Sequence, residues 1–183
     1  MLKNILSILA FNLLALTISA NKADAKQANE RAFFNHFESV SQVKFINDTL
    51  PPVEIMDIIT TVVYSLNSFS IEKVADLYTP NAVIADDEPP YSWNGPTAGI
   101  QWVYAVEQVC KDIKLTKLKG TIGAINVFQQ TADNVYIVVP VNYSGYLPGK
   151  QSVTSKGAFA FVLRMVNGKW LIKSQVWMAK NAL

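Results

Sequence analysis

The chain has 183 residues, half of them apolar, enough for one domain with a substantial core. Sixteen basic residues against fourteen acidic ones leave a formal charge of +2. That balance exerts no strong pull on nucleic acid or anionic membranes, and no nucleic-acid partner is expected. A single cysteine, Cys110, rules out an intrachain disulfide, and a single histidine, His36, rules out a histidine-rich metal centre.

The first residues read MLKNILSILAFNLLALTISANKADAKQ. Lys3 supplies a short positive start, and Ile5 to Ile18 are apolar except for Ser7, Asn12 and Thr17. Small residues follow at Ser19 and Ala20, then at Ala23 and Ala25. This is the pattern of a cleaved secretory signal over residues 1–20, with Ala25 as a second exit. The competing readings are a membrane anchor and a buried first helix. The apolar stretch is short for a span, which needs roughly 20 residues. The protein is therefore expected to be exported, periplasmic or secreted, with no stable membrane span after cleavage. Residues 21–50 form a leader whose Phe33, Phe34 and Phe37 share one helical face, so it admits a short helix.

Residues 51–183 carry the domain. Pro51-Pro52 opens a helix in which Ile55, Ile58, Ile59, Val62 and Leu66 keep the helical period. Ser70 caps a second helix over FSIEKVADLYTP, with Ile71, Val74, Ala75 and Tyr78 inward and Pro80 as its stop. AVIAD reads as a strand. TAGIQWVYAVEQVCKDI reads as a third helix, with Trp102, Val106, Val109 and Ile113 in one stripe and Val103 and Cys110 beside it. Cys110 is expected to be a buried thiol.

The period then changes. Residues 115–128 read as one long, irregular strand, and VYIVVPVNY as a strand with apolar groups on both faces. Pro140 removes a ladder donor and points to a bulge or an edge. SGYLPGKQS reads as a flexible connection. Asn167-Gly168 marks a tight hairpin between the last two strands. Strict alternation in the last strand sets Trp170, Ile172, Ser174, Val176 and Met178 on one face, and Leu171, Lys173, Gln175 and Trp177 on the other. The sum is an α+β domain, with three helices on a long, mostly antiparallel sheet.

The stretch NAVIADDEPPYSWNGPTAG concentrates the chemistry. Asp86 and Glu88 point to one side if the strand continues, and Asp87 to the other. Close carboxylates share a proton and raise one pKa, which suits a base. The plainer reading is a solvated strand end. Asp86 is the candidate catalytic base and ligand contact, with Tyr91, Trp93, Trp102 and Tyr136 as further ligand-binding candidates. Trp93 reads equally as a pocket lid or a structural plug, and Trp102 on its stripe as core. Hard cations favour oxygen clusters, but no calcium-loop spacing is present, so no metal is assigned. No cofactor is expected.

Three blocks, YSLNSFSIEKVADLYTPNAVIADD, GPTAGIQWV and KGAFAFVLRMVNGKWLIKSQVWMA, resemble the nuclear transport factor 2-like superfamily, in its SnoaL-like and ketosteroid-isomerase-like branch. The resemblance covers roughly residues 53–180. It implies a cone-shaped, cystatin-like domain with three helices over a strongly curved sheet, an apolar cavity, and pairing into a homodimer. It also implies a proton-abstracting aspartate after the first strand, a position that Asp86 fills. The isomerase's helix-one tyrosine falls near Val62, and Tyr64 points elsewhere. Its second oxyanion donor falls near Phe159 or Ala160, in a segment without an acid, so steroid isomerisation is not implied. Two readings follow: an exported domain that binds a small apolar or carbonyl-containing ligand, or an enzyme using Asp86 for isomerisation, dehydration or hydrolysis. A third is a structural module that pairs through its sheet.

Overall fold

The computed structural model describes residues 50–125 and 127–180. The signal and the leader lie outside the described residues. Two helices and seven strands follow in the order α1 (Val53–Ser65), β1 (Tyr78–Ala85), β2 (Ser92–Asn94), α2 (Ala98–Asp112), β3 (Thr116–Ile122), β4 (Val127–Gln130), β5 (Asn134–Leu147), β6 (Gln151–Val166) and β7 (Lys169–Ala179). The strands form one curved sheet in the order β2-β1-β7-β6-β5-β3, with β4 also paired to β5. Only β1 and β7 run parallel; the other pairs are antiparallel. The domain is therefore α+β, as its sequence pattern implies. Among the described residues no helix is long and apolar enough to cross a membrane.

α1 starts on Pro52, whose carbonyl receives the Ile55 and Met56 N–H groups, and buries Ile55, Ile59, Val62 and Val63. The expected second helix does not form. Residues 66–77 are a run of turns, in which Val74 N–H reaches only Ile71 O and Leu77 N–H only Val74 O. Phe69 at φ 51° already breaks the helical path. The sheet takes the end of the segment: Ile172 N–H donates to Leu77 O, and Pro80, expected as a helix stop, lies inside β1. Three helices are thus corrected to two among the described residues.

α2 buries Gly99, Trp102, Val103 and Cys110, while Ile113, expected on its stripe, is about half exposed at 49%. Gly99 is required by packing: a Cβ there would run into the Tyr78 ring.

The expected long strand over 115–128 is two strands, β3 and β4, that pair the same edge of β5 in succession. Pro140 sits at the gap between them. Its carbonyl receives Gly123 N–H, so its missing donor faces the break rather than β6. The supposed flexible connection is shorter than expected: β5 runs to Leu147, and a three-residue turn, Pro148–Lys150, leads into β6. Asn167 (φ 51°) and Gly168 (φ 77°) both adopt the left-handed backbone that a two-residue hairpin requires.

The phase of β7 also departs from strict alternation. Leu163 pairs with Ile172 and Val162 with Ser174, so Lys173 is an extra, bulged residue. Trp170 and Ile172 face inward before the bulge, and Gln175 and Trp177 after it. Gln175 is fully buried, whereas Val176 is exposed.

Candidate functional site

Asp86 follows directly on β1 and keeps the inward phase of Ala82 and Ile84. The loop behind it closes on itself: Tyr91 N–H donates to Glu88 O (2.9 Å), and Asp86 N–H donates to Tyr91 O (3.1 Å). The carboxylate is oriented by α2, where Trp102 Nε1–H donates to Asp86 Oδ2 at 2.7 Å. Glu88 N–H makes a longer bond of 3.4 Å to Asp86 Oδ1.

Burial pushes the Asp86 carboxyl up from 3.8 to about 6. The Trp102 donor opposes that rise, and the neighbouring Asp87 adds to it. A carboxylate at this value is mostly charged at neutral pH and still basic enough to take a proton.

Below Asp86 lies a cavity of about 150 Å³. Leu66, Val106, Leu118, Phe159 and Trp177 give it apolar walls, and Asp86, Glu88, Trp102, Tyr143, Cys110 and Ser155 complete its lining. Its aromatic wall is interlocked. Trp102 meets Phe159 edge-on at 5.8 Å, and Phe159 lies 4.7 Å from Trp177. Burial raises the Cys110 thiol, and the charge of Glu107 raises it further, so this thiol has no nucleophilic activation.

Of the residues singled out from sequence, the structure brings Asp86 and Trp102 together at the cavity. Tyr91 is exposed on the far side of its loop, and Tyr136 is exposed on the outward face of β5. Trp93 is buried on β2 opposite Ile84 and does not line the cavity. Val62 is core, behind the lining residues. Strict alternation sets Trp177 and Gln175 on the face opposite Trp170 and Ile172; the bulge puts all four on the inward face.

A second polar pair lies one step deeper on the inward face. Tyr78 Oη–H donates to Gln175 Oε1 at 2.6 Å, with both side chains buried. Gln175 Nε2 has no partner among the described residues.

Solved structures share this architecture. A hexachlorocyclohexane dehydrochlorinase, LinA-type3 from Novosphingobium barchaimii LL02, superposes with a TM-score of 0.60 at 15% identity, over 69% of this chain and 84% of that one. The fold is that of the nuclear transport factor 2-like proteins. A superfamily member from Salmonella enterica serovar Typhimurium LT2 matches with a TM-score of 0.57 at 14% identity, covering 69% and 88%. A candidate scytalone dehydratase from Novosphingobium aromaticivorans DSM 12444 matches with a TM-score of 0.56 at 12% identity, covering 69% and 82%. No protein-family model and no curated protein matches the sequence. At these identities the likeness concerns the nuclear transport factor 2-like fold, which hosts unrelated chemistries, so function must be argued from the site.

Proposed function

We propose that the domain binds a compact, largely apolar small molecule in the cavity below Asp86, and that Asp86 is its polar anchor. One observation carries the reading: a desolvated carboxylate, oriented by Trp102, borders a largely apolar hollow. A cavity of about 150 Å³ is of single-ring size. The ligand class is therefore a one-ring molecule with a hydrogen-bond donor directed at the carboxylate.

Phenol and toluene test this, with the Trp102 indole N–H resonance as reporter. Both should saturate. In Asp86→Asn, phenol should weaken on the order of tenfold relative to toluene, because a charge-assisted bond is lost. The same relative loss should occur in the native protein as pH falls through about 6. No saturable shift with either compound rejects the cavity, and an unchanged phenol-to-toluene ratio rejects the anchor.

The enzymatic alternative is favoured by the pKa of about 6, which suits a general base. A C–H bond would break and its proton would pass to Asp86; its electron pair would either form a double bond as a leaving group on the adjacent carbon departs with the electrons of its own bond, or move through an adjacent carbonyl onto its oxygen. The dehydrochlorinase and dehydratase neighbours have the same fold, which makes elimination the reaction to screen first. An Asp86→Asn turnover loss of roughly 10²–10⁴-fold separates catalysis from simple binding.

Export is inferred from the N-terminal sequence, and intact-mass measurement should find a native chain beginning near Asn21 or Lys26. A homodimer is inferred from the outward sheet face, where Val83, Tyr136 and Val176 are exposed. Light scattering at micromolar concentration checks it, and a monomer mass throughout dilution contradicts it.

A further inference from the structure

Asp86 and Tyr143 both line the cavity. Tyr143 enters from β5 and is buried. Its ring lies against β3 at Gly120, where a Cβ would come within 2.8 Å of Tyr143 Cε1, and 5.9 Å from the Trp177 ring. The ring is thus fixed by packing, but its hydroxyl is held weakly. Tyr143 Oη–H donates to Val63 O, in the last turn of α1, at 3.4 Å. The bonds of Tyr78 to Gln175 and of Trp102 to Asp86 measure 2.6 and 2.7 Å. Hydroxyl donors normally sit about 2.5–3.0 Å from their acceptors, so little is lost when the Val63 bond is given up. Burial, and then the charge of Asp86, push the phenol pKa upward, so the group stays a donor at neutral pH.

We propose that Tyr143, by rotating its O–H bond, exchanges Val63 for an oxygen acceptor of a molecule held against Asp86. The site would then select single-ring ligands bearing a carbonyl or ether oxygen, and most strongly those that also carry a hydroxyl. This inference rests on the cavity reading above and adds a specificity-determining residue to it. The two ligand contacts are complementary: Asp86 accepts and Tyr143 donates.

Cyclohexanone and methylcyclohexane serve as probes of the full chain, again followed at the Trp102 indole N–H. Tyr143→Phe keeps the ring and removes only the donor. The affinity ratio of ketone to hydrocarbon should fall roughly two- to tenfold in this variant, the loss expected for one neutral hydrogen bond. The phenol-to-toluene ratio, set by Asp86, should not change. An unaltered ketone ratio overturns the proposal, and so does a variant that loses thermal stability alone, which would make Tyr143 a structural tie to α1. If toluene itself fails to bind the native protein, the cavity reading falls, and that failure is distinct from the first. Should Tyr143→Phe not fold, infrared spectroscopy of cyclohexanone bound to the native chain decides the matter. A carbonyl stretch below its value in cyclohexane supports the bond; an unshifted stretch overturns it.

Discussion

The inward face of the sheet has two ends, built from the same strands and put to different uses. Toward the β6–β7 hairpin, Val135, Leu163, Trp170 and Ile172 are buried in the core, with exposures of 9% or less. Toward Asp86, the same strands contribute Tyr143, Ser155, Phe159 and Trp177, which border an opening. The difference lies in side-chain shape and in one glycine. Branched aliphatic groups interdigitate at the first end. At the second, Gly157 on β6 leaves room for both the Met178 carbonyl and the Trp177 indole, since a Cβ there would run into the Met178 backbone oxygen and lie 2.6 Å from Trp177 Cζ2. The indole can then lie across β6 and serve as a wall. A core and a ligand pocket are thus alternative ways of completing one sheet surface.

Truncation should separate the ends most strongly. Leu163→Ala opens a void in solid packing and should cost about 2–5 kcal/mol in denaturant unfolding. Val106→Ala removes a side chain that already borders open space, and should cost less, about 1 kcal/mol, while weakening toluene binding. Equal losses at both positions would mean that the second end is as solid as the first.

Gly157→Ala should come next. Its Cβ would meet the Met178 carbonyl as well as the Trp177 indole, so the β6–β7 pairing and the indole must shift, and it should destabilise by about 1–3 kcal/mol through overpacking. Toluene affinity should fall with it, as measured by the Trp102 indole shift, whereas Leu163→Ala should leave affinity intact.

The smallest effect is expected between the two ends, at the Tyr78–Gln175 pair. Changing Gln175 alone would strand the Tyr78 hydroxyl. Replacing both, as Tyr78→Phe with Gln175→Met, also removes the unpartnered Nε2 and should alter stability by no more than about 1 kcal/mol. A larger loss in thermal unfolding would show that the amide nitrogen has a partner, such as internal water, in solution.

How much of this was readable in advance follows from what periodicity can detect. Asp86 stood out because it ends an apolar alternation and keeps its phase. Trp102 stood out on a helical stripe, although its indole donation to Asp86 is a contact between residues 16 apart that no local pattern encodes. The hairpin at Asn167-Gly168 was legible because its turn needs two left-handed residues. The turns over 66–77 were not, because their apolar spacing mimics a helix and parallel pairing to β7 decides the outcome. Strict alternation separates Trp177 and Gln175 from Trp170 and Ile172, and the one bulged residue that puts all four on one face, Lys173, has no signature in the apolar pattern. Tyr143 carries no local signal of its place, which depends on Gly120 and Trp177 approaching from other strands.

The central claim is that Asp86 is a desolvated acceptor facing a ligand cavity. Because folding raises its pKa from 3.8 to about 6, its favourable contribution is complete below the lower value and is lost as pH rises through the upper one. Carboxyl-resolved nuclear magnetic resonance of the Asp86 side chain, titrated with and without saturating phenol, tests the claim directly. The structure predicts a midpoint near 6 in the free protein and a carboxyl resonance displaced by phenol. A midpoint at the ordinary 3.8, with a resonance that phenol leaves in place, would contradict it.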